Sequence, residues 1–126
     1  MKQLILIFFG GGLGSVTRFS LGKFINTQHN NAFPYGTFIV NIAACFILGC
    51  IVGLADHKQI LSPQTKLFWA VGFCGGFSTF STFSSESLTL FQQGNLNTMF
   101  LYIALSVITC LFATYIGMVI VQKIIA

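Results

Sequence analysis

A run of hydroxyl and aromatic residues in the middle of the chain has the side chains best suited to binding a small ion. Residues 77–86 read Phe-Ser-Thr-Phe-Ser-Thr-Phe-Ser-Ser-Glu and follow the glycine pair Gly75-Gly76, where we expect the helix to break. Hydroxyls donate hydrogen bonds, and the edges of aromatic rings are electropositive, so both can face an anion. Because the surrounding stretch is apolar, such groups need protein or a water-filled cavity to satisfy them.

The composition sets the class of protein that carries this run. Of 126 residues, 55% are hydrophobic and only 6% are charged, and the mean hydropathy is +0.85. These values predict an integral membrane protein with a single domain over residues 1–126. The net charge of +4 is spread thinly along the chain, which argues against binding to nucleic acid.

Windows of about 20 apolar residues predict four membrane-spanning helices joined by short polar loops. The predicted spans are Leu4 to Phe24, Tyr35 to Leu54, Lys66 to Phe91, and Met99 to Val121. An even number of spans places both ends on one side of the membrane, with a weak excess of basic residues there. Lys2 and the apolar run after it also resemble a secretory signal, but the glycines from Gly10 to Gly14 favour close helix packing in lipid.

Small residues recur four positions apart in three of the predicted spans. The pairs are Gly10 and Gly14, Gly49 and Gly53, and Gly72 and Gly76. This spacing lets helix backbones approach one another, so we expect a compact bundle with a partner subunit.

Polar residues inside the predicted spans are the remaining candidates for function. Arg18 either extends its side chain to the membrane interface or attracts anions in a vestibule, and Asn41 either bonds a neighbouring helix or donates to an anion. Phe80 and Phe83 share a helix face, as do Ser78, Ser81 and Ser84. In the fourth span Tyr102, Ser106, Cys110 and Thr114 recur at every fourth position.

Together these side chains predict a permeation path for a small, strongly hydrated anion. Dehydrating an ion costs on the order of 20 kcal/mol in the idealised limit, so hydrogen-bond donors must replace its water closely. They must also release the ion, which favours several neutral sites in a row over one strong charge. Glu86 fits such a path poorly, and three interpretations of it stay open: it is protonated, turned aside, or part of the conduction step.

Enzymatic and metal-dependent functions find little support in the sequence. The four cysteines lie in apolar spans, where they are expected to pack as small apolar residues, and His29 and His57 lie in loops. The sequence shows neither a phosphate-binding loop nor a nucleophile paired with a base, so we predict that the chain is not an enzyme.

The sequence resembles the Fluc family of fluoride channels, also called CrcB, over essentially its whole length. The resemblance is carried by Gly-Gly-x-Gly-x-x-x-Arg from Gly11 to Arg18, by Pro34 with Gly36-Thr37 and Val40-Asn41, and above all by the stretch from Gly72 to Glu86. It implies an all-α membrane protein of four transmembrane helices with a broken third helix. It also implies an antiparallel, dual-topology homodimer with two parallel fluoride pores.

The resemblance further implies roles for individual residues and a structural sodium ion. Backbone carbonyls of Gly75 and Ser78 from both subunits would hold Na⁺ at the dimer centre, and four oxygens suit such a hard cation. The fluoride pathway would comprise Thr37, Asn41, Phe80, Ser81, Thr82, Phe83, Glu86, Tyr102, Ser106 and Thr114, with Arg18 at the aqueous vestibule. Cys110 stands where we expect serine in some relatives, so a hydroxyl contact is in doubt there.

The implied physiology is passive export of cytoplasmic fluoride across a bacterial plasma (inner) membrane, which lowers fluoride toxicity. The alternative is an exporter of the small multidrug-resistance type, but its mechanism needs a carboxylate in the first helix, and the first span has none. A non-transporting membrane scaffold is the third interpretation, and the repeated phenylalanine and hydroxyl triplets argue against it. The expected partners are fluoride, membrane lipid and a second copy of the chain.

Overall fold

A computed structural model describes residues 1–56 and 60–126, and the regular structure in these ranges is entirely helical. The predicted loop residues His57 and Lys58 lie outside the described residues. Three of the helices, Lys2–Thr27, Tyr35–Asp56 and Leu96–Ile125, are long and apolar enough to cross a membrane. In chain order the elements are α1 (Lys2–Thr27), α2 (Tyr35–Asp56), α3 (Pro63–Lys66), a π-helical segment (Leu67–Cys74), α4 (Gly75–Phe77), α5 (Phe80–Gln92) and α6 (Leu96–Ile125).

Local sequence signals account for the beginnings and ends of several elements. Ser62 caps α3 by accepting a hydrogen bond from Thr65 N at 3.2 Å, and Pro63 occupies the first helical position, where its missing N–H costs nothing. Gly94, in the turn between α5 and α6, has a φ of 77°, which favours glycine. The helices extend two or three residues beyond most of the predicted ends, because capping and packing continue past the apolar windows.

The third apolar segment is interrupted at Ser78 and Thr79, so the predicted break at the glycine pair is wrong in position. Gly75 is helical, with φ −63° and ψ −38°, whereas Ser78 and Thr79 are extended, with ψ of 157° and 115°. The glycines serve helix packing instead, since a Cβ on Gly76 would collide with the backbone of Gly11. Ser78 therefore lies in the break and does not share a helix face with Ser81 and Ser84.

Glycine contacts bring α1 against the π-helical segment and α4. A Cβ on Gly10 would collide with the backbone carbonyl of Phe68, and one on Gly14 with the backbone of Phe73. The two helical segments can lie this close only because α1 carries glycine at these contact points. The small-residue contacts between α1 and the third segment are thus made within one chain.

Helices α2 and α6 run parallel, and their backbones touch at glycines of both helices. A Cβ on Gly49 would meet the Thr114 carbonyl oxygen, and one on Gly53 would lie 2.8 Å from the Met118 carbonyl oxygen. Because helical residues four apart lie on one face, the same register places further residues opposite each other toward the N-termini of both helices. The facing pairs before these contacts are Cys45 with Cys110, Asn41 with Ser106, and Thr37 with Tyr102.

The core lies between α2 and the interrupted third segment. Val40, Ala44 and Ile51 pack there with Phe73 and Phe77. Large apolar side chains cover the outside of the bundle, and many of them are more than half exposed. An apolar exterior around a small core is the arrangement expected of helices that face lipid.

Candidate functional site

The Glu86 carboxylate lies between two helices other than its own. Its Oε1 accepts a hydrogen bond from Thr37 Oγ1 at 2.6 Å, and its Oε2 accepts one from Tyr102 OH at 2.9 Å. Tyr102 is completely buried, so its hydroxyl is fixed in this contact. Thr37 and Tyr102 are a facing pair of α2 and α6, and Glu86 of α5 joins them into one polar cluster.

Asn41 forms hydrogen bonds with the backbone at the interruption of the third segment. Its Oδ1 accepts a hydrogen bond from Thr79 N at 2.8 Å, and its Nδ2 donates to Thr79 O at 3.1 Å. The structure thus shows the interhelical bonds that were one of two predicted uses of this amide. The amide carries a second N–H, which can still donate to another ligand.

Thr79 also begins the helix that follows the interruption. Its Oγ1 accepts from Thr82 N at 3.2 Å, which satisfies one of the free N–H groups of the first turn of α5. The same oxygen contacts Thr82 Oγ1 at 3.0 Å. The hydroxyl run therefore contributes a helix cap as well as a polar surface.

The two predicted aromatic residues lie together at the start of α5. The ring centroids of Phe80 and Phe83 are 5.5 Å apart, with an interplanar angle of 44°. The Phe83 ring also contacts Tyr102, with a centroid separation of 5.1 Å. Phe80 is 79% exposed on the single chain, which leaves most of this ring free for lipid, ligand or another protein surface.

A cavity of about 240 Å³ joins the rings to α2 and α6. Asn41 and Ser106, a facing pair of these helices, lie in its wall together with Phe80 and Phe83. Ser106 is only 7% exposed, and its Oγ has no hydrogen-bond partner within the described part of the chain. A buried hydroxyl without a partner costs about 1–3 kcal/mol, so this oxygen is suited to a polar ligand.

Two predicted pathway residues, Thr114 and Ser81, line no described cavity and do not contact the Glu86 carboxylate. Thr114 Oγ1 donates to the carbonyl of Cys110 in its own helix at 3.0 Å, and its backbone packs on Gly49. Ser81 is exposed, and its hydroxyl contacts Thr79 Oγ1 at 3.3 Å. The structure brings the other predicted residues to one of two cavities or to the Glu86 cluster.

The second cavity is larger, about 470 Å³, and carries charged side chains. Arg18, Lys23 and Glu86 lie in its wall, with Thr37 and Thr82 beside the carboxylate. Arg18, which was predicted to lie at an aqueous vestibule, thus lines a charged cavity. Two cationic side chains and one carboxylate give the cavity wall a net positive charge, which attracts anions.

Arg18 also contacts the helix that ends at the interruption. Its Nε donates to the Gly76 carbonyl oxygen at 3.0 Å, and Ser15 Oγ lies 3.5 Å from the same oxygen. Carbonyls in the last turn of a helix lack intrahelical donors and carry partial negative charge, so a guanidinium there is stabilising. Arg18 thus links the vestibule to the break.

The carbonyl of Gly75 lacks the backbone hydrogen bond that it would accept in an uninterrupted helix. In an uninterrupted helix Thr79 N would donate to it, but that N–H donates to Asn41 instead. Ser78 N and Ser78 Oγ both bond the Cys74 carbonyl, at 3.0 and 2.8 Å. Gly75 and Ser78 lie beside a third cavity of about 150 Å³, and Gly75 is exposed.

Sequence reasoning missed three residues of these sites, although each had a signal. Thr79 is a cap-forming residue directly before a helical run. Lys23 is the basic residue that follows Arg18 in the first span, and both line the charged cavity. Cys45 lies four residues after Asn41, so it shares the polar face that begins at Thr37.

The fold and the cavities define a small helical membrane protein in which neutral donors and aromatic rings flank an interrupted span. The model of the family described as "CrcB-like protein, Camphor Resistance (CrcB)" matches residues 5–118. The chain therefore belongs to this family, and the resemblance found in its sequence is confirmed. It is an integral membrane protein.

Several curated relatives carry the name "Fluoride-specific ion channel FluC". The one from Flavobacterium psychrophilum is 42% identical over 123 residues, which cover 98% of this chain and 99% of the relative. The one from Azobacteroides pseudotrichonymphae is 40% identical, covering 97% and 98%. The one from Phocaeicola vulgatus is 44% identical, covering 93% and 96%. Their shared name describes a channel, in agreement with the prediction that the chain is not an enzyme.

Proposed function

We propose that this protein is a fluoride-selective channel that releases cytoplasmic fluoride passively, down its gradient. The observation that carries the proposal is the cavity at the interruption, where the partnerless Ser106 hydroxyl and the second Asn41 N–H lie beside the Phe80 and Phe83 rings. Neutral donors and ring edges can take the place of water around a small anion. The name of the relatives supports fluoride as that anion.

The charged vestibule and the neutral cavity have different roles in conduction. Arg18 and Lys23 raise the local concentration of anions at the entrance. Beyond it, hydroxyl, amide and ring groups bind the dehydrated ion without a full positive charge, so the ion can leave again. Glu86 is held aside by Thr37 and Tyr102, which turns its carboxylate oxygens toward protein donors.

The functional unit of this proposal is an antiparallel, dual-topology homodimer with two pores. Phe80 is 79% exposed although it lies beside the polar cavity, and Ser81 next to it is exposed as well. A dehydrated ion passing these residues needs a wall that excludes lipid on the open side. A second copy in the opposite orientation would supply that wall to both chains at once.

A structural sodium ion fits the residues at the interruption. The carbonyl of Gly75 has lost its helical donor to Asn41, and Gly75 is exposed beside Ser78. Carbonyl oxygens are the kind of ligand that hard cations prefer. One chain offers two such carbonyls, so a second copy would complete a set of four. Bound there, Na⁺ would stabilise the interrupted helices and the dimer.

Fluoride efflux from liposomes carrying the purified protein tests this function. Valinomycin with potassium relieves the voltage, and chloride release from matched liposomes is the control. We expect rapid release of fluoride without release of chloride. If neither fluoride nor chloride is released, the proposal is contradicted, and proton-coupled export through Glu86 becomes the function to test.

A ring substitution separates conduction from assembly. We expect Phe80→Ile and Phe83→Ile to abolish fluoride release while the protein still forms dimers. Phe112→Ile is the matched control, since Phe112 is 61% exposed on α6 and lines none of the described cavities. Normal release by an assembled Phe80 or Phe83 variant would show that the ring sites are wrong.

A further inference from the structure

Two thiols face each other across the parallel helices α2 and α6. The backbone contacts of Gly49 with Thr114 and of Gly53 with Met118 set the register of the pair. One turn earlier on each helix, this register places Cys45 opposite Cys110. Both side chains line the cavity of about 240 Å³, and both cysteines are free thiols.

The surroundings of this thiol pair favour one class of ligand. Phe80, Phe83 and Val107 line the same cavity, and none of the described residues in its wall is charged. Sodium, magnesium and calcium prefer oxygen ligands, whereas thiolates select soft cations. A site with two sulfurs and no carboxylate in its described wall therefore suits a soft cation that accepts two ligands.

We propose that Cys45 and Cys110 form a two-coordinate site for a soft, thiol-binding cation, and that an ion bound there obstructs the cavity. Hg²⁺ is the probe. Each thiol loses its proton to solvent, so two S–H bonds break and two S–Hg bonds form without a change of oxidation state. The bound ion would lie one helical turn from Asn41 and Ser106.

The other cysteines of the chain provide controls. Cys74 lines the neighbouring cavity of about 150 Å³, which Cys45 also reaches, so it is the competing partner for Cys45. Cys50 faces a different part of α6, where a Cβ on Gly117 would lie 3.3 Å from its Sγ. Removing Cys50 deletes one sulfur from α2 and leaves the proposed pair intact.

The binding test is titration of the purified protein with Hg²⁺ in chloride-free buffer, followed by ultraviolet absorbance of the mercury–thiolate bond and by intact mass. We expect one mercury per chain with loss of two protons. Cys45→Ala and Cys110→Ala should lose this species, and Cys50→Ala and Cys74→Ala should keep it. Retention in Cys110→Ala, or loss in Cys74→Ala, would overturn the assigned pair.

The obstruction test measures fluoride efflux with and without Hg²⁺, and this half rests on the proposed function. We expect the same Hg²⁺ concentration to block efflux through the original chain and through Cys50→Ala. Cys45→Ala and Cys110→Ala should need about tenfold more Hg²⁺ for the same fractional block, with each variant compared with its own untreated rate. Unblocked efflux from a protein that has bound mercury would overturn the obstruction. Absence of efflux before mercury is added would instead contradict the fluoride function, and the binding test would still decide the site.

Discussion

Asn41 of α2 and the backbone of Thr79 hold each other through two hydrogen bonds, of 2.8 and 3.1 Å. The amide thereby replaces helical hydrogen bonds that the third segment gives up at its interruption. Thr79 in turn caps α5, the helix that carries Phe80 and Phe83. One side chain on α2 thus positions the start of the aromatic surface, and its second N–H is left for a ligand.

We expect Asn41→Ala to reduce both stability and conduction. It leaves the Thr79 N–H and carbonyl without their partner, at about 1–3 kcal/mol for each group that stays buried. Thr79→Val is the matched control, because it keeps both backbone bonds and loses only hydroxyl contacts, of which the cap is worth about 1 kcal/mol. Thermal unfolding in detergent and fluoride efflux from liposomes measure the two effects. Equal losses in the two variants would contradict a special role for the Asn41 amide.

We expect the hydrogen bonds to Glu86 to act as a unit. Thr37→Val and Tyr102→Phe each remove one donor, and each should slow fluoride efflux by about ten- to a hundredfold, because a hydrogen bond to a charged group is worth about 1.5–3 kcal/mol. The double variant should be little slower than either single one, since the remaining bond cannot hold the carboxylate alone. Efflux rates of all three decide this. Multiplying effects would indicate that the two donors act independently.

We expect Arg18 and Lys23 to differ although both are cations of the vestibule. Lys23→Gln removes only a charge, so its efflux should fall at low ionic strength and approach that of the original chain at high salt. Arg18→Gln also removes the bond to the Gly76 carbonyl, so salt should not restore it. Arg18→Lys, which keeps the charge without the planar group, should also remain impaired. Efflux across a series of salt concentrations measures this, and identical salt profiles for the two Gln variants would refute it.

We expect a methyl group at Gly76 to separate α1 from α4. Its Cβ would collide with the backbone of Gly11, and such overpacking costs about 1–3 kcal/mol. Gly12→Ala is the control, because a Cβ on Gly12 meets nothing within 4 Å. Thermal unfolding should therefore show a loss for Gly76→Ala and no loss for Gly12→Ala. A stable Gly76→Ala variant would show that the close helix contact is not required.

Much of this protein could be predicted from its sequence, because membrane insertion depends on local composition. Apolar windows located the spans to within a few residues, and polar residues stood out within them because lipid offers them no partner. The residue types around Phe80 and Phe83 by themselves indicated a path for a small anion. The four-residue spacing from Tyr102 to Ser106 also predicted one face of α6.

The tertiary structure alone decided which of these residues meet. The interruption lies at Ser78 and Thr79 rather than at the glycines, because the glycines pack against α1 while Asn41 binds the freed backbone. The facing of Cys45 and Cys110 follows from the register of two helices far apart in the sequence. Such contacts depend on distance and register between segments, which local hydropathy and spacing do not encode.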